Sequence, residues 1–173
     1  MTQKSIQNMY ENLYKHYGPQ GWWPLLSEAK RPGFDERGYH KNKYNYPTTN
    51  QQRFEIIVGT ILTQNTSWKN VEKALKELKN IMSPEQILAT PTHTLAELIR
   101  SSGYFNQKAE RLKIVATFLQ EQGWETLLSR KTEQLREQLL SLKGVGPETA
   151  DSILLYAFNR DSFVVDAYTK RIL

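Results

Sequence analysis

The residues with the most chemical information in this 173-residue chain lie in Leu142-Lys143-Gly144-Val145-Gly146-Pro147-Glu148. Glycines two positions apart permit positive φ and leave the backbone uncovered, so amide N–H groups can approach a ligand closely. Pro147 suits the first position of a helix, where its missing N–H is not needed. Uncovered amides at a helix N-terminus attract anions, phosphate among them. The same spacing also makes a plain tight turn between two helices. Competing phosphate motifs fail on residue type: a GxGxxG loop needs glycine where Thr149 stands, and GxxxxGK[ST] is absent. Further on, Asp166 precedes a short helical pattern through Lys170 and Arg171, where it suits an N-cap. Gly21-Trp22-Trp23-Pro24 is the second unusual cluster. Consecutive tryptophans outside a helix point in different directions, so at most one sinks into the core while the other lines a cleft. A hydrophobic plug beneath a loop is the plainer reading of that pair.

The elements that must position these residues read as helices almost throughout. Ile6, Met9, Tyr10, Leu13 and Tyr17 recur at three- and four-residue steps and predict an amphipathic helix ended by Gly18-Pro19. Residues 27–49, polar and rich in Lys, Asn and Tyr, read as a long surface loop. Helical spacing resumes with Phe54, Ile57, Val58, Ile61 and Leu62, and again with Val71, Leu75 and Leu78 after Ser67. Ser83-Pro84-Glu85-Gln86 reads as a capping box with Pro in the first turn. Further helices are predicted over about Thr94–Ser101, Asn106–Gln120, Lys131–Leu142 and Pro147–Phe158. The only β-like run, Ser162–Val165, is too short to found a sheet. The fold class is all-α.

Composition narrows the chemistry. The 39% hydrophobic and 24% charged content belongs to a globular protein rather than a disordered tail. With no cysteine there is no disulfide, no thiolate zinc site and no iron–sulfur cluster, and histidines scattered at 16, 40 and 93 argue against a histidine metal cage; no metal or organic cofactor is expected. No apolar run approaches the roughly 18 residues a membrane span needs, and the N-terminus lacks a signal-peptide core. The expectation is a soluble cytoplasmic protein with no membrane partner. A net charge of +5 suits a polyanionic partner.

Four segments in order resemble the helix-hairpin-helix DNA glycosylases of the endonuclease III family. Leu142–Glu148 resembles the hairpin itself, and Phe163-Val164-Val165-Asp166-Ala167-Tyr168-Thr169-Lys170-Arg171 resembles the segment that carries the catalytic aspartate. Gly59–Thr66 resembles the helix end whose glutamine, here Gln64, enters the space left by a flipped base. Ser102–Ala109 resembles the "G-x-Y-N-x-K-A" segment that supplies a wedge residue, here Tyr104. Glutamate stands at 148, where strand-cleaving members carry a lysine nucleophile, and a carboxylate cannot form a Schiff base. Trp-Trp-Pro at 22–24 followed by Phe54-Glu55 through Thr66 resembles the 3-methyladenine glycosylase branch, with residues 27–49 as an insertion.

The resemblance implies a multi-helix, monofunctional base-excision-repair glycosylase without AP-lyase activity, acting as a monomer on double-stranded DNA with a damaged base. In a prokaryote it would be associated with the nucleoid. Asp166 would be catalytic; Trp22, Trp23, Pro24, Trp68 and Glu148 would face the base; Gln64 and Tyr104 would be the wedge. Lys143, Gly144, Val145 and Gly146 would bind phosphate, with Lys108, Arg111, Lys170 and Arg171 as further phosphate candidates. The expected organisation is residues 1–26, an N-terminal helix and Trp-Trp-Pro segment; 27–49, the insertion; 50–160, a helical domain with its helix-hairpin-helix at about 131–158; and 161–173, the aspartate segment, opening a second subdomain that relatives extend further. A glycosylase for oxidised or mismatched bases, and a non-catalytic DNA-binding module, remain alternatives at this point.

Overall fold

The structure is a computed structural model that describes residues 3–172; the first two residues and Leu173, the last of the predicted 161–173 segment, lie outside it. All regular structure among the described residues is helical. The chain divides into two compact units, one made of the residues up to Tyr46 together with those from Val165 on, the other of Pro47–Val164.

The larger unit is built around helix α2 (Asn50–Leu62), where Phe54, Ile56, Ile57, Val58, Ile61 and Leu62 are at most 1% exposed. A helix apolar on nearly every side is stable only when surrounded. Its neighbours are α3 (Trp68–Leu78), α6 (Phe105–Gln122) and the end of the segment that follows the hairpin. The start of α2 is fixed by a reciprocal capping box in which Thr49 and Gln52 bond each other's backbone. Helices α4 (Pro84–Ala89) and α5 (Thr92–Leu98) pack on α6. At α4 the Ser83 hydroxyl accepts from the Gln86 N–H at 3.3 Å, with Pro84 in the first turn as the sequence predicts. Gly123, at φ +72°, ends α6 and starts α7 (Trp124–Ser129), an element that periodicity does not reveal because it is a single apolar turn and a half.

Helices α8 (Thr132–Ser141) and α9 (Pro147–Ser152) form the two arms of the hairpin, α9 continuing as a wider π-helical turn over Ile153–Ala157. The sequence predicts one regular helix to Phe158; instead the Phe158 N–H reaches back five residues to the Ile153 carbonyl at 3.2 Å. Leu135, Leu139, Val145, Ala150, Ile153 and Leu154 bury the inner faces of both arms. A bidentate pair, Arg136 Nε and Nη2 to the two Asp151 oxygens at 2.7 and 3.1 Å, bridges α8 to α9.

In the smaller unit, α1 (Gln3–Tyr17) ends at Gly18, φ +62°, whose N–H donates to the Tyr14 carbonyl at 2.8 Å. The amphipathic stripe is present but unpacked: Ile6, Tyr10, Leu13, Tyr14 and Tyr17 are 42–60% exposed, and α1 buries none of its described side chains. Apart from a single 3-10 turn over Leu26–Glu28, residues 27–49 are not regular, as predicted, yet they are ordered by close backbone contact with the Trp-Trp-Pro segment. The Leu25 N–H donates to the Gly38 carbonyl at 2.9 Å. A Cβ on Gly38 would lie 2.1 Å from the Leu25 carbonyl oxygen, and one on Gly21 would lie 2.4 Å from the His40 backbone, so both positions require glycine. The short helix α10 (Thr169–Ile172) closes the described chain.

Candidate functional site

The hairpin distinguishes its two glycines. Gly144 sits at φ +87°, and a Cβ there would lie 2.4 Å from Arg111 Nε and 2.6 Å from Arg111 Cδ. Gly146 sits at φ −93°, ψ 178°, with nothing within 4 Å of where a Cβ would be. Of the two glycines whose spacing permits positive φ, only Gly144 adopts it, while Gly146 keeps its face of the turn bare. The turn is closed by the Val145 N–H donating to the Leu142 carbonyl at 3.0 Å, with Val145 buried and Lys143, Gly146, Pro147 and Glu148 exposed. Glu148 stands in the first turn of α9, where a negative charge is favoured by the helix dipole.

Gln64 lies against this hairpin. Its Nε2 donates to the Gly144 carbonyl and to Thr149 Oγ1, each at 3.0 Å, and its Oε1 accepts from Arg111 Nη1. Arg111, a phosphate candidate by sequence, is thus committed to Gln64, and the bare α-carbon of Gly144 is what lets its side chain pass. The spacing Lys108-x-x-Arg111 on one helix face is the only sequence signal for this, and it does not name the partner. Tyr104 is the N-cap of α6 at φ +46°, a left-handed conformation that costs a bulky side chain energy, and the residue is 65% exposed. The side chain therefore stands open to solvent at the start of the helix. Trp68, half-buried, opens α3.

Lys108 overturns its sequence reading. It is 1% exposed, and its Nζ donates to the carbonyls of Leu62 and Ser102, each at 2.7 Å. Burial, followed by the nearby charge of Arg111, pulls its pKa down to about 8. A group so enclosed is not a phosphate contact. The reason is visible only in three dimensions, since α6 enters the core at Lys108 and Ala109 immediately after its exposed first turn.

In the smaller unit Trp23 is 6% exposed and Trp22 38%, one sunk and one presented as expected, although the two rings lie together and do not point in different directions. Their rings are 5.1 Å apart at 57°, and the insertion adds Tyr39, whose ring lies 5.9 Å from that of Trp22 at 43°. Arg37 in turn covers Tyr39 at 5.6 Å. His40, 4% exposed, holds the segment in place, with Nε2 at 3.2 Å from the Trp23 carbonyl and Nδ1 at 3.1 Å from that of Lys43. Pro24 follows, buried. Sequence reasoning missed Tyr39 and His40, because an insertion without periodicity gives no sign of which residue it returns to.

Asp166 also belongs to this unit. Its Oδ1 accepts from the Thr169 N–H and the Thr169 hydroxyl, both at 2.7 Å, so the N-cap reading holds in its geometry. Partial burial pushes its pKa upward as the largest single influence. The hydrogen bonds from Thr169, with backbone ones from Tyr168 and its own amide, outweigh it and hold the carboxyl below the usual range. Arg171 lies over the Tyr168 ring at 4.7 Å and donates to the Ala167 carbonyl at 3.1 Å. No group of three His, Cys, Asp or Glu side chains able to share a metal ion occurs among the described residues, and no helix among them is long and apolar enough to cross a membrane.

Two helices joined by a glycine hairpin, with a glutamine docked on it and an aspartate at the start of a later helix, define a helix-hairpin-helix protein. The chain belongs to the HhH-GPD superfamily of base excision DNA repair proteins, whose model matches residues 58–173, and within it to the endonuclease III-like family. It is 44% identical to a putative DNA repair glycosylase of Methanocaldococcus jannaschii over 96% of this chain and 67% of that protein. A 3-methyladenine DNA glycosylase of Helicobacter pylori, solved bound to 1,N6-ethenoadenine, is 38% identical with a TM-score of 0.60, covering 66% of this chain and 57% of that one. A trapped endonuclease III–DNA covalent intermediate shares the fold, with TM-score 0.72 at 21% identity over 99% of this chain and 68% of that one. Of the first curated relatives it matches, the chain spans 67%, 54% and 54% of the length.

Proposed function

We propose that the chain is the catalytic part of a monofunctional DNA glycosylase that removes a purine alkylated on a ring nitrogen, of the 3-methyladenine kind. The observation that carries this reading is Asp166, a carboxylate held ionised by donated hydrogen bonds at the family's aspartate position. A carboxyl with a lowered pKa is a weak base but a persistent negative charge, so its role is to stabilise the oxocarbenium-like sugar as the C1′–N bond breaks. The bond's electron pair leaves with the base, water attacks C1′, and the water proton passes to solvent. A ring-alkylated purine is cationic in the nucleoside and leaves as a neutral base, so it needs no protonating acid.

The remaining roles are assigned residue by residue. Trp22, with Tyr39 beside it, offers ring faces to a cationic base, each cation–π contact being worth about 0.5–2 kcal/mol. Trp23 and Pro24 back it, and Trp68 and Glu148 are further base-facing residues. Gln64 and Tyr104 fill the stack, and the turn from Lys143 to Gly146 receives phosphate. The similarity to the Helicobacter enzyme supports the alkylated-purine class, and Glu148 in place of a lysine supports hydrolysis without strand cleavage.

Excision from duplexes carrying one methylated, oxidised or mismatched base tests the substrate class, with release expected from the methylated duplex. Preferential release of an oxidised or mismatched base refutes it. Borohydride added during the reaction should trap no protein–DNA adduct, and a trapped adduct overturns the hydrolytic reading.

A further inference from the structure

Lys108 is a buried cation that the proposed chemistry does not use. Its two carbonyl partners come from different parts of the helical unit, yet both lie two residues ahead of a DNA-facing candidate. Leu62, whose carbonyl accepts at 2.7 Å, precedes Gln64 by two positions, and Ser102, whose carbonyl also accepts at 2.7 Å, precedes Tyr104 by two. The Leu62 carbonyl is one of the last in α2, where the helix leaves its carbonyls without intrahelical donors. The Ser102 carbonyl ends a single 3-10 turn over Arg100–Ser102, just before Gly103 at φ +68° and Tyr104 at φ +46°. Gln64 thus lies just past the end of α2, and Tyr104 at the N-cap of α6.

The same lysine is anchored from a third side, because its own N–H donates to the Tyr104 carbonyl at 3.0 Å. A charged donor bonded to two neutral carbonyls is stronger than an ordinary hydrogen bond, and in a dry setting it is also stiffer. Keeping an ammonium at 1% exposure is costly, as its pKa of about 8 records, so a neutral side chain would serve simple packing better.

We infer that Lys108 is a positioning residue that sets the distance between the two segments bearing Gln64 and Tyr104, so that both sides of the stack opened by a flipped base are filled at once. This rests on the wedge roles proposed for Gln64 and Tyr104. It requires no bond cleavage, which allows it to be tested apart from glycosylase activity. Lys108 acts through those two residues and touches neither phosphate nor base.

The test measures the affinity of the full chain for a duplex with a tetrahydrofuran abasic analogue and for the same duplex undamaged, across a range of salt. Lys108→Met, of similar length and without charge, is expected to lower the preference for the abasic duplex at least tenfold. It should leave undamaged-duplex affinity and its salt slope unchanged, because no phosphate contact is lost. Added to a Gln64→Ala/Tyr104→Ala background, it should lower the preference no further. Equal loss on both duplexes with a shallower salt slope would make Lys108 a phosphate contact and overturn the inference. So would a further loss in the double-variant background, or a wild type with no preference for the abasic duplex. Should Lys108→Met melt too low to assay, Lys108→Gln, which keeps two N–H donors, is read by the same criteria, with partial retention of the preference expected and a preference as high as wild type counting against the charge. A wild type that excises no base would refute the proposed function while the affinity comparison still decides the role of Lys108.

Discussion

The two hairpin glycines give the sharpest stability prediction. At Gly144 an alanine would hold φ near +87°, which costs an L-residue about 1–2 kcal/mol. Its Cβ would also fall 2.4–2.7 Å from Nε, Cδ and Cγ of Arg111. These are mid-chain atoms, so the side chain must swing away and give up its bond to Gln64, a charge-assisted contact worth about 1.5–3 kcal/mol. Allowing for partial relaxation, Gly144→Ala should cost roughly 2–4 kcal/mol, or several degrees in Tm for a chain of this size. Gly146, with φ −93° and open space, sets the contrast: Gly146→Ala should change stability by no more than about 0.5 kcal/mol. Urea unfolding of the full chain followed by far-UV circular dichroism measures both. Adding Arg111→Ala to Gly144→Ala removes the clash, so the double variant should be less unstable than the sum of the singles, with Gly144→Ala adding chiefly the backbone cost to the Arg111→Ala background. Equal effects at the two glycines, or strict additivity of Gly144→Ala and Arg111→Ala, would refute the packing described for Arg111.

Other measurements follow from the same structure. Phe54→Ala, which hollows the centre of the helical unit at a residue 1% exposed, should cost about 3–5 kcal/mol in the same urea assay. The pKa of Lys108 is lower folded, at about 8, than its ordinary value of 10.5, so between those limits the unfolded chain binds more protons. Stability referenced to Lys108→Met should therefore rise with pH across that window, by at most roughly 3 kcal/mol, with the cost of the buried charge fully present below pH 8. A flat or falling difference would contradict the burial of a charged amine. Because Asp166 is held below its ordinary range by Thr169, Thr169→Ala should raise the Asp166 pKa, which a carboxyl-carbon NMR titration reads.

What was legible in the sequence was whatever repeats or punctuates. Phe54, Ile57, Ile61 and Leu62 fall at helical spacing and form the central helix, and Pro147 marks the start of α9 at its observed first residue. The family itself was legible from four motifs, since each carries residue types that ordinary helices do not need. Environment was not legible. Lys108 reads as a surface charge in any one-dimensional pattern, because a lysine at the second turn of an amphipathic helix is usually solvated, and only the carbonyls of Leu62 and Ser102 make its burial tolerable. Gly144 and Gly146 look equivalent in sequence, yet the first answers to a left-handed backbone and a passing arginine and the second to neither. One of Trp22 and Trp23 was correctly expected to sink and the other to stay presented, but their rings lie 5.1 Å apart instead of pointing apart, and the further partner of Trp22 is Tyr39, across a loop whose return path no spacing encodes. Short α7 and the π-helical turn after α9 escaped for a related reason, being set by Gly123 and by packing on α2 rather than by periodicity.

The proposed chemistry turns on Asp166, and single-turnover release of base from a 3-methyladenine duplex by wild type and Asp166→Asn tests it most directly. The amide keeps the size of the carboxylate and removes its charge, so binding to the duplex should be retained while the rate of release falls by about a hundredfold or more, the scale on which a single preorganised electrostatic contact acts. Equal release by the two proteins would contradict the assigned chemistry of Asp166, and with it the central claim.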